Sequence, residues 1–295
     1  MASSAAAHVA ARGVAGTAGV ACLALGVCRA VANDNCLRTE LTSDEWSFVR
    51  QQRLSDVITS IAFALHNPGW TAGYIRLAGS AEAFVSHYAL CSTVMAVLNF
   101  LGEPLVAALS DRHGRKPFLV WGRVGVCAWF LTYTRIDLYG KLWMRLVGEA
   151  VCFGVVGVGH WTVFAASHSD RFGSRPSLSA KIQSADKMWS MLGQIAGNVA
   201  GVFLTERIGA LHVGHLSHGL ALSTLWILSR LPETLTQEHR KPFRLIHSNP
   251  ISNLSLLLTH GPGLRKLTLS ALLYLGCNKC VTIIALQRCE SCHRV

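Results

Sequence analysis

Three groups of ionisable residues are spaced so that they could do chemistry. Ser110-Asp111-Arg112-His113-Gly114-Arg115-Lys116-Pro117 places one acid, one glycine and three permanent cations in eight residues. Ser169-Asp170-Arg171-Phe172-Gly173-Ser174-Arg175-Pro176 repeats the arrangement in miniature. An acid in one segment can pair with a cation in the other, Asp111 with Arg175 or Asp170 with Arg112, so the two segments are expected to form a charge gate that closes in one state and opens in another. The third group lies inside apolar runs: Glu103, followed by Pro104, and the pair Arg145 and Glu149, which stand four apart and so share a helix face. Ionisable groups within apolar spans are costly and usually line a pathway. Glu103, Arg145 and Glu149 are therefore the expected route for a proton or a solute.

Other suggestive patterns are weaker. His212, His215 and His218 recur every three residues, a step that drifts by about 60° around a helix and spreads the first and last too far apart to grip one ion. Cys289-Glu290-Ser291-Cys292-His293 spells the c-type haem attachment pattern, and Cys277 and Cys280 form a second pair. The residues between, Val281 to Arg288, are largely apolar and begin inside a membrane-type run, whereas a zinc ribbon needs a longer soluble loop. No metal or cofactor is expected, and with no nucleophile triad or phosphate-cradling glycine loop the chain does not read as an enzyme.

The elements that position these groups are apolar helices. Phe84 to Leu109 precedes the first basic segment and Phe118 to Tyr133 follows it. A short basic connector between two bilayer-length runs is a tight turn at a membrane surface, and Gly114 gives it a conformation that side chains disfavour. Periodicity and length predict helices near residues 84–109, 118–138, 142–166, 188–205, 210–230 and 267–286. In the helix near 188–205, Gly193, Gly197 and Gly201 recur at spacing four, a stripe that lets two backbones pack closely in lipid. Residues 1–33 hold no acid and are rich in Ala, Gly and Val; a signal or transit segment and a first transmembrane helix over Val14 to Ala32 both fit. Residues 34–82 then read as a polar outer loop or a degenerate first helix, because His66, Asn67, Pro68 and Arg76 interrupt the apolar run there.

Composition agrees with a membrane protein. Across 295 residues, 51% are hydrophobic and only 15% charged, with a mean hydropathy of +0.36; soluble proteins carry about 25% charge. The formal charge of +11 sits in the gaps between apolar runs, not in a basic stripe with interleaved aromatics, so nucleic acid is not an expected partner. With the first basic segment inside, inner connectors carry Arg112, Arg115, Lys116, Arg171, Arg175, Lys181 and Lys187 and the later basic residues, while the outer ones hold only Arg135, Lys141, Arg145 and Arg207. That bias fits the positive-inside rule. Cys91, Cys127 and Cys152 lie in apolar runs, where cysteine behaves as a small hydrophobe.

Asp111, Arg112, Gly114, Arg115 and Lys116 resemble the signature loop between the second and third transmembrane helices of the major facilitator superfamily. Only the leading glycine of that pattern differs, being Ala107. Asp170 and Arg175 resemble the acid and arginine between helices four and five of its tetracycline-exporter-like branch. Arg145-Leu146-Val147-Gly148 partly matches the fourth-helix arginine of proton-linked exporters, and Leu231-Pro232-Glu233-Thr234 resembles the end of the first half. The antiporter motif of the fifth helix is met only in part, since Gly197-Asn198 stands where that motif has Gly-Pro.

The resemblance implies an all-α, multi-pass transmembrane helical bundle: a six-helix half of major facilitator type with a partial second half. Helices two to six cover residues 84–231, a central cytoplasmic loop 232–263, a seventh helix 264–286 and a tail 287–295. It implies a secondary active transporter of small organic solutes, proton-coupled and working by alternating access in a lipid bilayer, completed by a homodimer partner or a missing C-terminal half. The alternative is a non-transporting half-transporter that scaffolds or regulates a partner.

Overall fold

A computed structural model describes residues 24–134, 142–243, 261 and 266, with residues 72, 133–134, 142–143 and 145–146 described by backbone alone. Every regular element among them is helical. Residues 24–40 form α1. Then follow α2 (Ser43–Ala78), α3 (Ala81–His113), α4 (Arg115–Thr134), α5 (Leu142–Glu149), a π-helical run (Ala150–Val156), α6 (His160–Phe172), α7 (Pro176–Ile208), α8 (Ala210–Ser229) and a 3-10 turn at Gln237–His239. The described chain divides into two compact units, one holding the chain through Pro68 together with Arg171–Pro232, the other Gly69–Asp170 and the chain from Glu233 onward.

In the first unit, α7 turns a stripe of small residues inward and a row of large apolar residues outward, while Phe48, Leu65, Phe172, Ile182 and Leu228 are among the large apolar side chains buried in the unit. Gly193, Gly197 and Gly201 of α7 are buried. A Cβ at Gly197 would lie 2.6 Å from the Ile61 carbonyl oxygen, and one at Gly201 only 2.4 Å from that of Leu65. The backbones of α7 and the middle of α2 therefore touch, which only glycine permits. On the opposite face of α7, Met191, Ile195 and Val199 are exposed. Water would penalise that arrangement at about 25 cal/mol per Å² of apolar surface; a lipid environment does not, and there association rests on close packing of small residues.

The interior of this unit is correspondingly polar. Arg53 of α2, almost fully buried, pairs with Asp34 of α1 and Asp186 of α7, while the Trp189 indole N–H donates to the second Asp34 oxygen at 3.1 Å. Ser60 and Ser190 share a hydroxyl hydrogen bond of 2.7 Å. The α1 helix runs antiparallel to α7: Gly26 faces Leu192, Asp34 meets Trp189, and Glu40 receives the Lys181 ammonium at 2.6 Å.

The second unit assembles α3, α4, α5, the π run and α6. Trp70, Tyr74, Phe84 and Tyr88 form an edge-to-face cluster joining the end of α2 to α3, with centroid separations of 4.9 to 5.8 Å. In α4, Gly122 abuts His160, and Gly125 abuts the backbone of Gly157, whose nitrogen would lie 2.3 Å from an added Cβ. Two stretches among the described residues are long and apolar enough to cross a membrane, Ala81–His113 and Val147–Phe172. Along α3, Leu90, Val94, Val97, Leu101 and Leu105 form an exposed apolar face.

Residues 34–82, expected as a polar outer loop or a degenerate first helix, hold the end of α1, all of α2 and the start of α3. A hydropathy reading weighs residue types without regard to face, and α2 turns its polar residues Gln52, Arg53, Ser55 and Thr59 into the unit. The helix expected near 188–205 begins earlier, at Pro176, a residue suited to the first turn. The 1–33 segment up to residue 23, most of the 232–263 loop, the seventh helix apart from Lys266, the 287–295 tail and the terminal cysteine patterns lie outside the described residues.

The backbone contacts of α7 predict that Gly201→Leu destabilises the protein by about 1–3 kcal/mol through overpacking. Gly219→Ala on α8, where nothing lies within 4 Å of the added carbon, should be neutral or mildly stabilising. Thermal midpoints in detergent should fall for the first variant and hold for the second.

Candidate functional site

The first basic segment folds into a charge cluster within the second unit. Helix α3 ends at His113, and Gly114 follows with φ +104, its N–H returning to the Ser110 carbonyl at 3.0 Å. A side chain is excluded there twice: by that backbone angle, and by the Glu233 carboxylate, whose Oε2 would stand 2.5 Å from an added Cβ. The chain then restarts as α4 at Arg115.

Arg115 is the centre of the cluster and is buried. Its guanidinium donates Nε to Asp170 Oδ2 at 2.9 Å and Nη1 to Ser110 Oγ at 2.7 Å, and forms an ion pair with Asp111. Glu233 completes it. Its Oε1 accepts from the N–H of Arg115 at 2.8 Å, Thr234 at 3.0 Å and Leu235 at 3.1 Å, and its Oε2 from Lys116 N–H at 3.1 Å. The first amides of a helix have no partner within it and carry partial positive charge; Glu233 supplies the missing acceptors of α4 from 118 residues away. The Lys241 N–H bonds to the Asp111 carbonyl at 3.1 Å, and Thr234 Oγ1 reaches Asp170 at 3.4 Å. Burial would raise the Glu233 carboxyl, but the donated N–H groups of Leu235, Arg115, Lys116 and Thr234 outweigh it and hold the group below its ordinary 4.5.

Both aspartates of the expected pairings, Asp111 with Arg175 and Asp170 with Arg112, meet a cation of the second unit here. Arg115 takes both aspartates, because the turn at Gly114 aims its guanidinium back into the cluster while Arg112 stays exposed. Arg175 belongs to the first unit, where it pairs with Glu45 and lies over the Phe172 ring. Beside it, Arg171 sits 4.5 Å from the Phe48 centroid, and Phe48 contacts Phe172. The second basic segment thus fastens the start of α2.

Within the apolar spans, Glu149 is 1% exposed. It ends α5 and leads directly into the π run, a rare conformation that appears frequently at functional sites. Its Oε2 accepts a hydrogen bond from the Cys91 thiol of α3 at 3.0 Å. Glu103 is half-buried on α3 and, twelve residues past Cys91, stands about 18 Å farther along the axis, so it does not share a shell with Glu149. Arg145 is one turn before Glu149 on α5, and its side chain lies outside the described residues.

Arg123 and His160 are among the buried groups that escaped the sequence reading. Arg123 of α4 is 0% exposed, and His160, packed on Gly122, is 1% exposed. Arg123 is the lone charge in the run Phe118 to Tyr133, and the rule that flagged Glu103 and Glu149 flags it equally.

Comparison with known proteins gives a consistent picture. The family model described as sugar (and other) transporter matches residues 80–242. The class C tetracycline resistance protein of Escherichia coli is 27% identical over 187 residues, 61% of this chain and 44% of that protein. The class H tetracycline resistance protein of Pasteurella multocida is 25% identical over 158 residues, 52% of this chain and 36% of that protein. The chain therefore spans less than half the length of these curated relatives. A crystal structure of the human organic anion transporter MFSD10 (TETRAN) shares the fold at a TM-score of 0.54 and 22% identity, covering 74% of this chain and 55% of that one.

The cap at α4 has a defined pH dependence. A carboxyl held below 4.5 contributes stability that is fully present above that value and is lost as pH falls through the lowered one. Glu233→Gln should melt below the wild-type protein at neutral pH, and the gap between the two should shrink as the scan is repeated below pH 4.5.

Proposed function

The chain belongs to the sugar (and other) transporter family, and from that premise we propose that it forms one half of a secondary active transporter that moves small organic solutes across a bilayer, coupled to protons, by alternating access. The observation that carries the coupling is Glu149, a buried carboxylate inside Val147–Phe172. In such a setting the charged form is disfavoured unless donors surround it, so a carboxyl can take up and release a proton as its surroundings change.

The Arg115 cluster supports the conformational part of the reading. Arg115, Asp111, Asp170 and Glu233 tie the α3–α4 turn to the end of α6 and to the segment after α8. On this reading the turn lies at the inner membrane face, and the network holds the half rigid in one state and loosens in the other. Alternating access needs two halves around a central site; the second is supplied by a second copy of the chain or by a C-terminal half. The solute is an organic molecule of the kind the relatives are named for, a tetracycline or an organic anion.

The test is uptake into proteoliposomes under an imposed pH gradient, with radiolabelled tetracycline and with fluorescein as the organic anion. Protein-dependent, saturable uptake of either probe is expected, falling about tenfold or more in Glu149→Gln, within the range a coupling free energy spans. Gradient-driven uptake that survived unchanged in both Glu149→Gln and Glu103→Gln would end the proton-pathway reading.

A further inference from the structure

Cysteine in an apolar helix normally packs as a small hydrophobe, its weak S–H donor left to a nearby carbonyl. Cys91 does something else. It is 2% exposed on α3, and its thiol points at the carboxylate of Glu149 on α5, 58 residues away in sequence, at 3.0 Å. The contact joins two buried side chains that stand on different helices.

We propose that Cys91 is a positioning residue that sets the pH at which Glu149 takes up its proton. This rests on the reading of Glu149 as the proton carrier. The chemistry is one-directional. A neutral thiol carries a proton it can donate, so it stabilises the ionised carboxylate more than the neutral acid, and it adds no charge of its own. The bond also holds one oxygen of Glu149, the last residue before the π run, toward α3.

The other titratable and charged groups along the middle of the packed elements include Tyr88 and Glu103 of α3, Arg123 and Cys127 of α4, Cys152 of the π run and His160 of α6, with Arg145 one turn earlier on α5. His87, one turn before Cys91 on α3, is turned to the Ala83 carbonyl at 2.6 Å. All of these stay constant when residue 91 alone is changed. The difference between variants at that position therefore reads the contribution of the thiol.

The experiment is infrared titration of the full chain in lipid nanodiscs, following the protonated-carboxyl C=O band that Glu149→Gln removes. Without the donor, in Cys91→Ala, the midpoint of that band should rise by about one pH unit, the scale of a hydrogen bond to a charged group. In Cys91→Ser, whose hydroxyl is the stronger donor, it should stay at the wild-type value or fall. The S–H stretch that Cys91→Ala removes should also shift in Glu149→Gln. Equal midpoints in all three proteins, a lower midpoint in Cys91→Ala, or no titrating band assigned to Glu149 overturns the proposal; if Cys91→Ala does not assemble, Cys91→Ser and the S–H shift decide alone. Should the midpoints move as expected while Glu149→Gln leaves tetracycline and fluorescein uptake intact, the thiol's control of Glu149 stands and the pathway reading falls.

Discussion

A guanidinium does not lose its proton under any condition a cell meets, so an arginine that becomes buried must bring anions with it. Arg115 does this at the most constrained point of the second unit. Gly114 reverses the chain between α3 and α4 in a backbone shape that places Arg115 inside, and from there its charge fixes Asp111 on its own turn and Asp170 at the end of α6. Glu233 works the same joint from the other side, taking the orphan amides of α4 and occupying the space a side chain at 114 would need. Removing either charge would leave the other's partners buried and unmet, which costs more than the pairing itself contributes.

A second constraint acts on the first unit: lipid supplies no water-driven reason to bury every large apolar residue, so α7 leaves Met191, Ile195 and Val199 outside while polar groups lie inside beside Phe48 and Ile182. In the first unit this gives α7 a glycine face against α2 and an apolar face outside. It also explains Arg53, whose guanidinium joins α1, α2 and α7 where a soluble protein would place leucines. Close backbone contact and buried ion pairs are two answers to the same problem, since both give helices a reason to meet that hydrophobic burial does not supply in lipid.

What could be read in the sequence follows from these constraints. The α3–α4 turn was legible because glycine, acid and cations crowd into eight residues between two apolar runs, and the helices from 81 to 134 and from 210 to 229 stand close to their expected limits. The glycine stripe announced close contact, although not that α2 would be the partner. The α2 helix itself was hidden, because its buried polar residues read as interruptions until the face they occupy is known. The choice of Arg115 over Arg112 depends on a turn of the backbone rather than on residue type. Glu233 was visible only as a likeness to a chain-ending motif; its reach to the α4 amides spans 118 residues, and no local pattern carries information over that distance.

The two acidic sites differ in what their neighbours can do. At the α3–α4 turn the guanidinium of Arg115 is permanently charged and the donors to Glu233 are fixed backbone N–H groups, which hold Glu233 on the ionised side. Such a network can be pulled apart by motion but is not switched by a proton near neutral pH. Glu149 accepts from a thiol, a donor without charge and among the weakest a side chain offers. The π run that begins at the next residue breaks the α-helical hydrogen-bond register there, a rare feature that recurs at functional sites. On the proposed reading, Glu149 is where the proton enters, and the Arg115 cluster responds mechanically to the movement that follows.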